Sequence, residues 1–117
     1  MSMLDCIKTL EGFNIPHGSR AVIIGGGGKS PLWRQMVSDA LGIELLEMKY
    51  ADSSLGSAML AGVATGIFES LETAVEQCNE VVSVTVPNPE NYEKYEKLFR
   101  RYKAVQKALE PIYNGEY

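Results

Sequence analysis

The sequence is poor in the side chains that hold metals and bridge chains: its 117 residues carry one histidine, His17, and two cysteines, Cys6 and Cys78. One histidine and two distant cysteines cannot assemble a His/Cys zinc centre, and CxxC spacing is absent. No secretory leader precedes the cysteines, so they read as free thiols in a reducing compartment, with the cytoplasm as the expected location. Positive charge is also short. Eleven Lys plus Arg against 15 Asp plus Glu leave a net charge of −4, which opposes a phosphate backbone and argues against nucleic acid or an anionic membrane as partner. The uncharged stretch from Leu55 to Phe68 falls short of the roughly 20 apolar residues that span a bilayer. No repeat, linker or low-complexity segment divides the chain. With 45% hydrophobic and 22% charged residues, it reads as a single domain over residues 1–117.

What is present is a sequence of well-punctuated elements. Leu4, Ile7, Leu10 and Phe13 recur at intervals of three, the face of a short helix ending at Gly12 or Asn14. Ala21-Val22-Ile23-Ile24 is a compact apolar run cut off by four glycines, which predicts a buried strand entering a special turn. Ser30-Pro31 supplies an N-cap and a proline at the first helical position, so Pro31 to Leu41 should be a helix stopped by Gly42. Ile43 to Met48 reads as a second strand, and Asp52 or Ser53 opens a helix to about Thr65, stopped by Gly66. That helix is rich in small residues, among them Gly56, Ala61 and Gly62. An interior glycine costs about 1 kcal/mol relative to alanine, which predicts tight packing beside the glycine turn. Leu71 to Asn79 is a further helix, Val81 to Val86 an edge strand, and Pro89 to Tyr113 an amphipathic helix with a solvated charged face. The whole is an α/β unit, helix-rich with a small sheet.

Chemistry concentrates at Gly25-Gly26-Gly27-Gly28-Lys29-Ser30, between a strand and a capped helix. Glycines let the backbone approach a phosphate, and the helix start favours an anion. A tight turn without a ligand explains the same glycines. Two motifs fail by counting. A P-loop needs glycine five positions before Gly28, where Ile23 stands, and a dinucleotide fingerprint begun at Gly25 or Gly26 meets Ser30 or Pro31. Lys29 is placed either to neutralise a phosphate or simply in solvent. Trp33, Met36 and Val37 read as core, Cys6 and Cys78 as unactivated, and His17 as a surface loop residue.

The run Ile24-Gly-Gly-Gly-Gly-Lys-Ser-Pro-Leu-Trp-Arg-Gln-Met, then Asp39-Ala-Leu-Gly-Ile, then Leu55-Gly-Ser-Ala-Met-Leu-Ala-Gly-Val-Ala-Thr-Gly resembles the C-terminal part of FGGY carbohydrate kinases, nearest the xylulokinase branch. The closing Pro87-to-Tyr113 stretch resembles their helical tail. This resemblance implies an actin-like, ribonuclease-H-like ATPase fold closing over a sugar and ATP with Mg²⁺. Carried over by position, Gly25, Gly26 and Gly27 lie against the nucleotide phosphates and ribose, Ser30 lies by the adenine, and Gly56 belongs to a helix behind that site. Gly28 stands where many members have alanine. The family's DxGT-type motif and catalytic aspartate have no counterpart here. Asp5, Asp39 and Asp52 are the only aspartates, each explained by a structural role, so no catalytic and no metal-ligating residue is assigned. The expectation is an ATP-side portion that binds nucleotide weakly and catalyses nothing alone. The competing expectation is a self-associating module, a homodimer in its simplest form, joined through an uncovered sheet edge or helix faces.

Overall fold

Ser30 and Gly42 bracket one helix as their chemistry requires. In the computed structural model, which describes residues 1–116, α2 spans Pro31–Leu41. The Ser30 side chain accepts from the Trp33 amide at 3.3 Å, and Gly42 closes the helix in the left-handed region at φ 68°. Before it lie α1 (Ser2–Gly12), β1 (Arg20–Ile23) and a 3₁₀ turn (Gly26–Lys29). After it come β2 (Glu44–Met48), α3 (Ser53–Ala64), α4 (Leu71–Cys78), β3 (Val81–Thr85), a second 3₁₀ turn (Pro89–Asn91) and α5 (Tyr92–Tyr113). Asp52 caps α3, as its position predicted, and Ser70 caps α4.

The sheet has the order β1-β2-β3, with β1 parallel to β2 and β3 antiparallel to it. Register sorts its residues into two faces. Ala21, Ile23 and Leu45 point toward α2 and pack with Leu41 around Val37 and Ile43. Ser38, fully buried on α2, donates its hydroxyl to the Ile43 carbonyl at 2.7 Å and also lies 3.2 Å from that of Thr85. On the opposite face Val22, Leu46 and Val84 form one cross-strand row that no helix packs against closely among the described residues. The expected buried strand is therefore an edge strand with one bare face: Val22 is 51% and Ile24 65% exposed.

Two further expectations are corrected. Trp33 and Met36 are not core, since both stay more than 40% exposed where α2 meets α1 and α5, and only Val37 of that trio is buried. The small-residue helix α3 packs chiefly on α4 and not beside the glycine turn. Its crowded glycine is Gly62, where a Cβ would come within 2.6 Å of the Phe68 ring, whereas a Cβ on Gly56 would meet open space. Glycine at 62 is needed because the chain folds back at once, with the Ile67 and Phe68 amides both donating to the Gly62 carbonyl. Phe13, at the end of the predicted helix face, is exposed as well.

The helix pair α3–α4 leaves and rejoins the sheet at one point. There Asn79 accepts from the Tyr50 amide at 3.1 Å and donates to the Tyr50 carbonyl at 2.8 Å. α5 is tied back by Asp39 at its start, by buried Phe99, and by the ion pairs Lys8–Glu96 and Lys103–Asp5.

Candidate nucleotide cleft

Because β1 and β2 run parallel, their C-terminal ends open on the same side, where open α/β sheets place their ligands. A cleft of about 470 Å³ lies there. Its walls are Ile23 to Gly26, Gly28 and Lys29 on one side and Glu47 to Asp52 on the other. Gly25 makes the entry possible: its φ of 81° with ψ of −175° is a backbone conformation reserved in practice for glycine. The 3₁₀ turn then closes with the Gly28 amide on the Gly25 carbonyl at 3.1 Å and the Ser30 amide on that of Gly27 at 3.2 Å. Gly28 is pressed against the end of β1, where an added Cβ would sit 3.3 Å from the Ile23 carbonyl oxygen.

The four residues assigned from sequence separate in space. Gly25 and Gly26 line the cleft. Gly27 lies under the Trp33 ring, whose edge would stand 2.9 Å from a Cβ placed there. Ser30 spends its hydroxyl on the α2 cap. Lys29 lines the cleft and forms no ion pair among the described residues.

Composition and spacing had pointed to no role for Arg34 or Glu47. Arg34 is 8% exposed and its Nη1 donates to the Gly28 carbonyl at 2.6 Å, the same nitrogen lying 3.0 Å from Glu47 Oε2. Glu47 Oε2 also accepts from Ser83 Oγ at 2.8 Å. Register explains the meeting, because Ile23, Glu47 and Ser83 share one row on the α2-covered face. A signal was available: Arg34, Val37, Ser38 and Leu41 follow the i, i+3, i+4, i+7 pattern of a buried helix face.

The aspartates are engaged elsewhere. Asp39 is 5% exposed and accepts from Gln35 Nε2, the Asn88 amide and Asn91 Nδ2, each at 2.7 Å. Burial alone would raise its pKa; the three donors, with Lys94 nearby, outweigh burial and hold it below the ordinary 3.8. Asp52 is lowered by the Ser54 amide and hydroxyl that it caps. Asp5 pairs with Lys103 at 3.0 Å. Among the described residues no group of three His, Cys, Asp or Glu side chains is placed to hold a metal, and no helix is long and apolar enough to cross a membrane.

Comparison with known proteins identifies the family and the fold. Residues 1–65 match the model of the FGGY family of carbohydrate kinases, C-terminal domain. A xylulose kinase of Staphylococcus epidermidis is 36% identical over 113 residues, which is 95% of this chain and 22% of that protein. An autoinducer-2 kinase of Escherichia coli K12 is 31% identical over 85% of this chain and 19% of its own. Among solved structures, the ligand-bound xylulose kinase of Lactobacillus acidophilus superimposes with a TM-score of 0.78 at 28% identity, over 89% of this chain and 21% of that one. A gluconate kinase from the same organism gives 0.78 at 27% identity, over 90% of this chain and 21% of the other. The chain thus spans about a fifth of the length of the curated relatives it matches. The expected actin-like ATPase fold and the resemblance to xylulokinases both hold. More than half of the sequence, residues 1–65, matches the model of one family's C-terminal domain, and the chain belongs to the FGGY family of carbohydrate kinases.

Proposed function

We propose that residues 1–117 form one domain that supplies the ATP side of a cytoplasmic sugar kinase of the xylulokinase kind, with Mg·ATP as its nucleotide substrate. The observation that carries this reading is the cleft between the parallel strand ends, edged by Gly25, Gly26 and Gly28 and by the unpaired cation of Lys29. Gly25 and Gly26, which line the cleft, serve the phosphates and ribose, while Gly27 and Ser30, which do not line it, take their places at the ribose and the base from the family resemblance alone. Glycine backbone admits a triphosphate closely, and a free lysine offsets its charge. By itself the domain transfers no phosphoryl group. The family resemblance puts the acceptor of the sugar hydroxyl's proton on an aspartate, and the three aspartates here are occupied by a cap, a hydrogen-bond network and an ion pair.

The test is a titration of the ¹⁵N-labelled chain with Mg·ATP. Saturable shifts confined to the amides of Gly25 to Ser30 and the facing segment Glu47 to Asp52 are expected; unchanged spectra up to millimolar nucleotide would remove the reading. Phosphorylation of xylulose by the purified chain, surviving controls for contaminating kinase, would refute its inactivity.

A second reading, self-association as a homodimer, is favoured by the uncovered row of Val22, Leu46 and Val84 with Leu60 and Ile67 exposed elsewhere. Sedimentation decides it: a monomer at high concentration excludes it.

A further inference from the structure

We infer that Arg34 is the positioning residue of the glycine turn: one nitrogen of its guanidinium fixes the Gly28 carbonyl and compensates the Glu47 carboxylate, setting both the shape and the charge of the cleft. This rests on the reading of the cleft as a phosphate site.

Burying a guanidinium is expensive, and a buried ion pair is poor support for stability compared with an apolar side chain of similar volume. Arg34 illustrates the expense. It is 8% exposed, and its Nε has no partner among the described residues. Of the planar fork that makes arginine useful, only Nη1 is engaged among the described residues, on the Gly28 carbonyl at 2.6 Å and Glu47 Oε2 at 3.0 Å. Both partners line the cleft. The charge therefore acts at the cleft wall.

It acts in two ways. A run of four glycines populates both signs of φ freely, so an unrestrained turn must be ordered when ligand arrives. The bond from α2 to Gly28 orders it beforehand, against the end of β1 on its other side. The second effect is electrostatic. Four charged side chains line the cleft: Glu47, Asp52, Lys29 and Lys49. Lys49 pairs with Glu80 at 2.7 Å and Glu47 is compensated by Arg34, while Asp52 accepts only from the neutral amide and hydroxyl of Ser54 and keeps its charge. Among the described residues Lys29 and Asp52 are the two lining charges without an ionic partner, so the cleft is balanced near neutral, with Lys29 the cation on its glycine side. Without Arg34 the cleft turns net negative, because Glu47 then adds an uncompensated charge to that of Asp52, and a phosphate is opposed.

The one-nitrogen bridge makes a sharp demand on variants. Lysine, one bond shorter, carries three donors on a single nitrogen and can make the same bridge; methionine fills the space without it. The test compares wild type, R34K, R34M and R34M/E47Q in the full chain. In the ligand-free protein, amide exchange at Gly28 and Ser30 should accelerate about tenfold or more in R34M while Val37 and Leu45 are unmoved, and R34K should return to within about threefold of wild type. With Mg·ATP, R34M should bind about tenfold more weakly, and R34M/E47Q should regain affinity without regaining slow exchange. Should R34M fail to fold, R34Q takes its place, still polar but two bonds short at its amide nitrogen. Equal exchange in wild type and R34M, or an R34K no slower than R34M, overturns the inference even if nucleotide binds. Failure of wild type to bind Mg·ATP removes the phosphate reading instead, and the exchange data then judge the turn separately.

Discussion

Asp39→Asn isolates the contact that joins the sheet-covering helix to the C-terminal helix. The carboxylate gathers three donors at 2.7 Å, from Gln35 on its own helix and from the Asn88 amide and Asn91 side chain ahead of α5. Hydrogen bonds to a charged acceptor are worth about 1.5–3 kcal/mol, against about 1 kcal/mol for neutral pairs. Asparagine keeps one accepting oxygen at reduced strength and turns an amino group toward Asn91, itself a donor. The loss should total roughly 2–4 kcal/mol, a large share of the stability of a domain this size. Equilibrium urea unfolding at pH 7 measures it as a fall in midpoint at unchanged slope. The pH dependence gives an independent check. Because folding lowers the Asp39 pKa below 3.8, its contribution is fully present above that value and disappears as the pH falls through the folded pKa. The gap between wild type and D39N should stay constant from pH 7 to about 4 and close below it. A cost under about 0.5 kcal/mol, or a gap unaffected by acid, would refute the argument.

The paired glycines of α3 should respond in opposite directions. Gly56→Ala meets nothing within 4 Å and should stabilise by about 0.5–1 kcal/mol through helix propensity. Gly62→Ala drives a methyl into the Phe68 ring and should destabilise by about 1–2 kcal/mol net, both read by thermal or urea unfolding. His17 is held above its ordinary pKa of 6.5 by the Gly18 carbonyl and then by Glu11, 3.1 Å from Nε2. Its contribution is therefore present below the unfolded pKa and lost as pH rises through the folded one. An NMR titration should place His17 above 6.5, and E11Q should lower it; an E11Q titration identical to wild type would count against the contact.

Local chemistry was readable wherever one residue decides one backbone group. Ser30, Pro31 and Gly42 bounded α2 correctly because caps and stops act within four residues, and Asp52 did the same for α3. What sequence missed depends on which faces meet. Ala21 to Ile24 is apolar enough for a buried strand, yet α2 covers one face of the sheet, and strand alternation cannot say whether anything covers the other. The small residues of α3 announced a close approach without naming the partner, which proved to be Phe68, six residues from Gly62, rather than the glycine turn. In the cleft, the four glycines announced a tight turn, but residue type did not say that Gly25 alone of the four would take a positive φ while the next three form a 3₁₀ turn. The Arg34–Glu47 contact required the register of two strands against a helix, and that is long-range information.

The mutual clasp of Tyr50 and Asn79 has a consequence for how much of the chain the sheet requires. Those two residues stand side by side where β2 ends and β3 begins, and β2 and β3 are antiparallel neighbours, the one strand arrangement that a tight reversal can join directly. Everything threaded between them, α3 and α4 included, is an excursion hung from a closed gate. The sheet and its three remaining helices are thus a minimal scaffold from which that lobe can be excised, grafted or exchanged, and the cleft keeps its glycine wall on the side that excision leaves untouched.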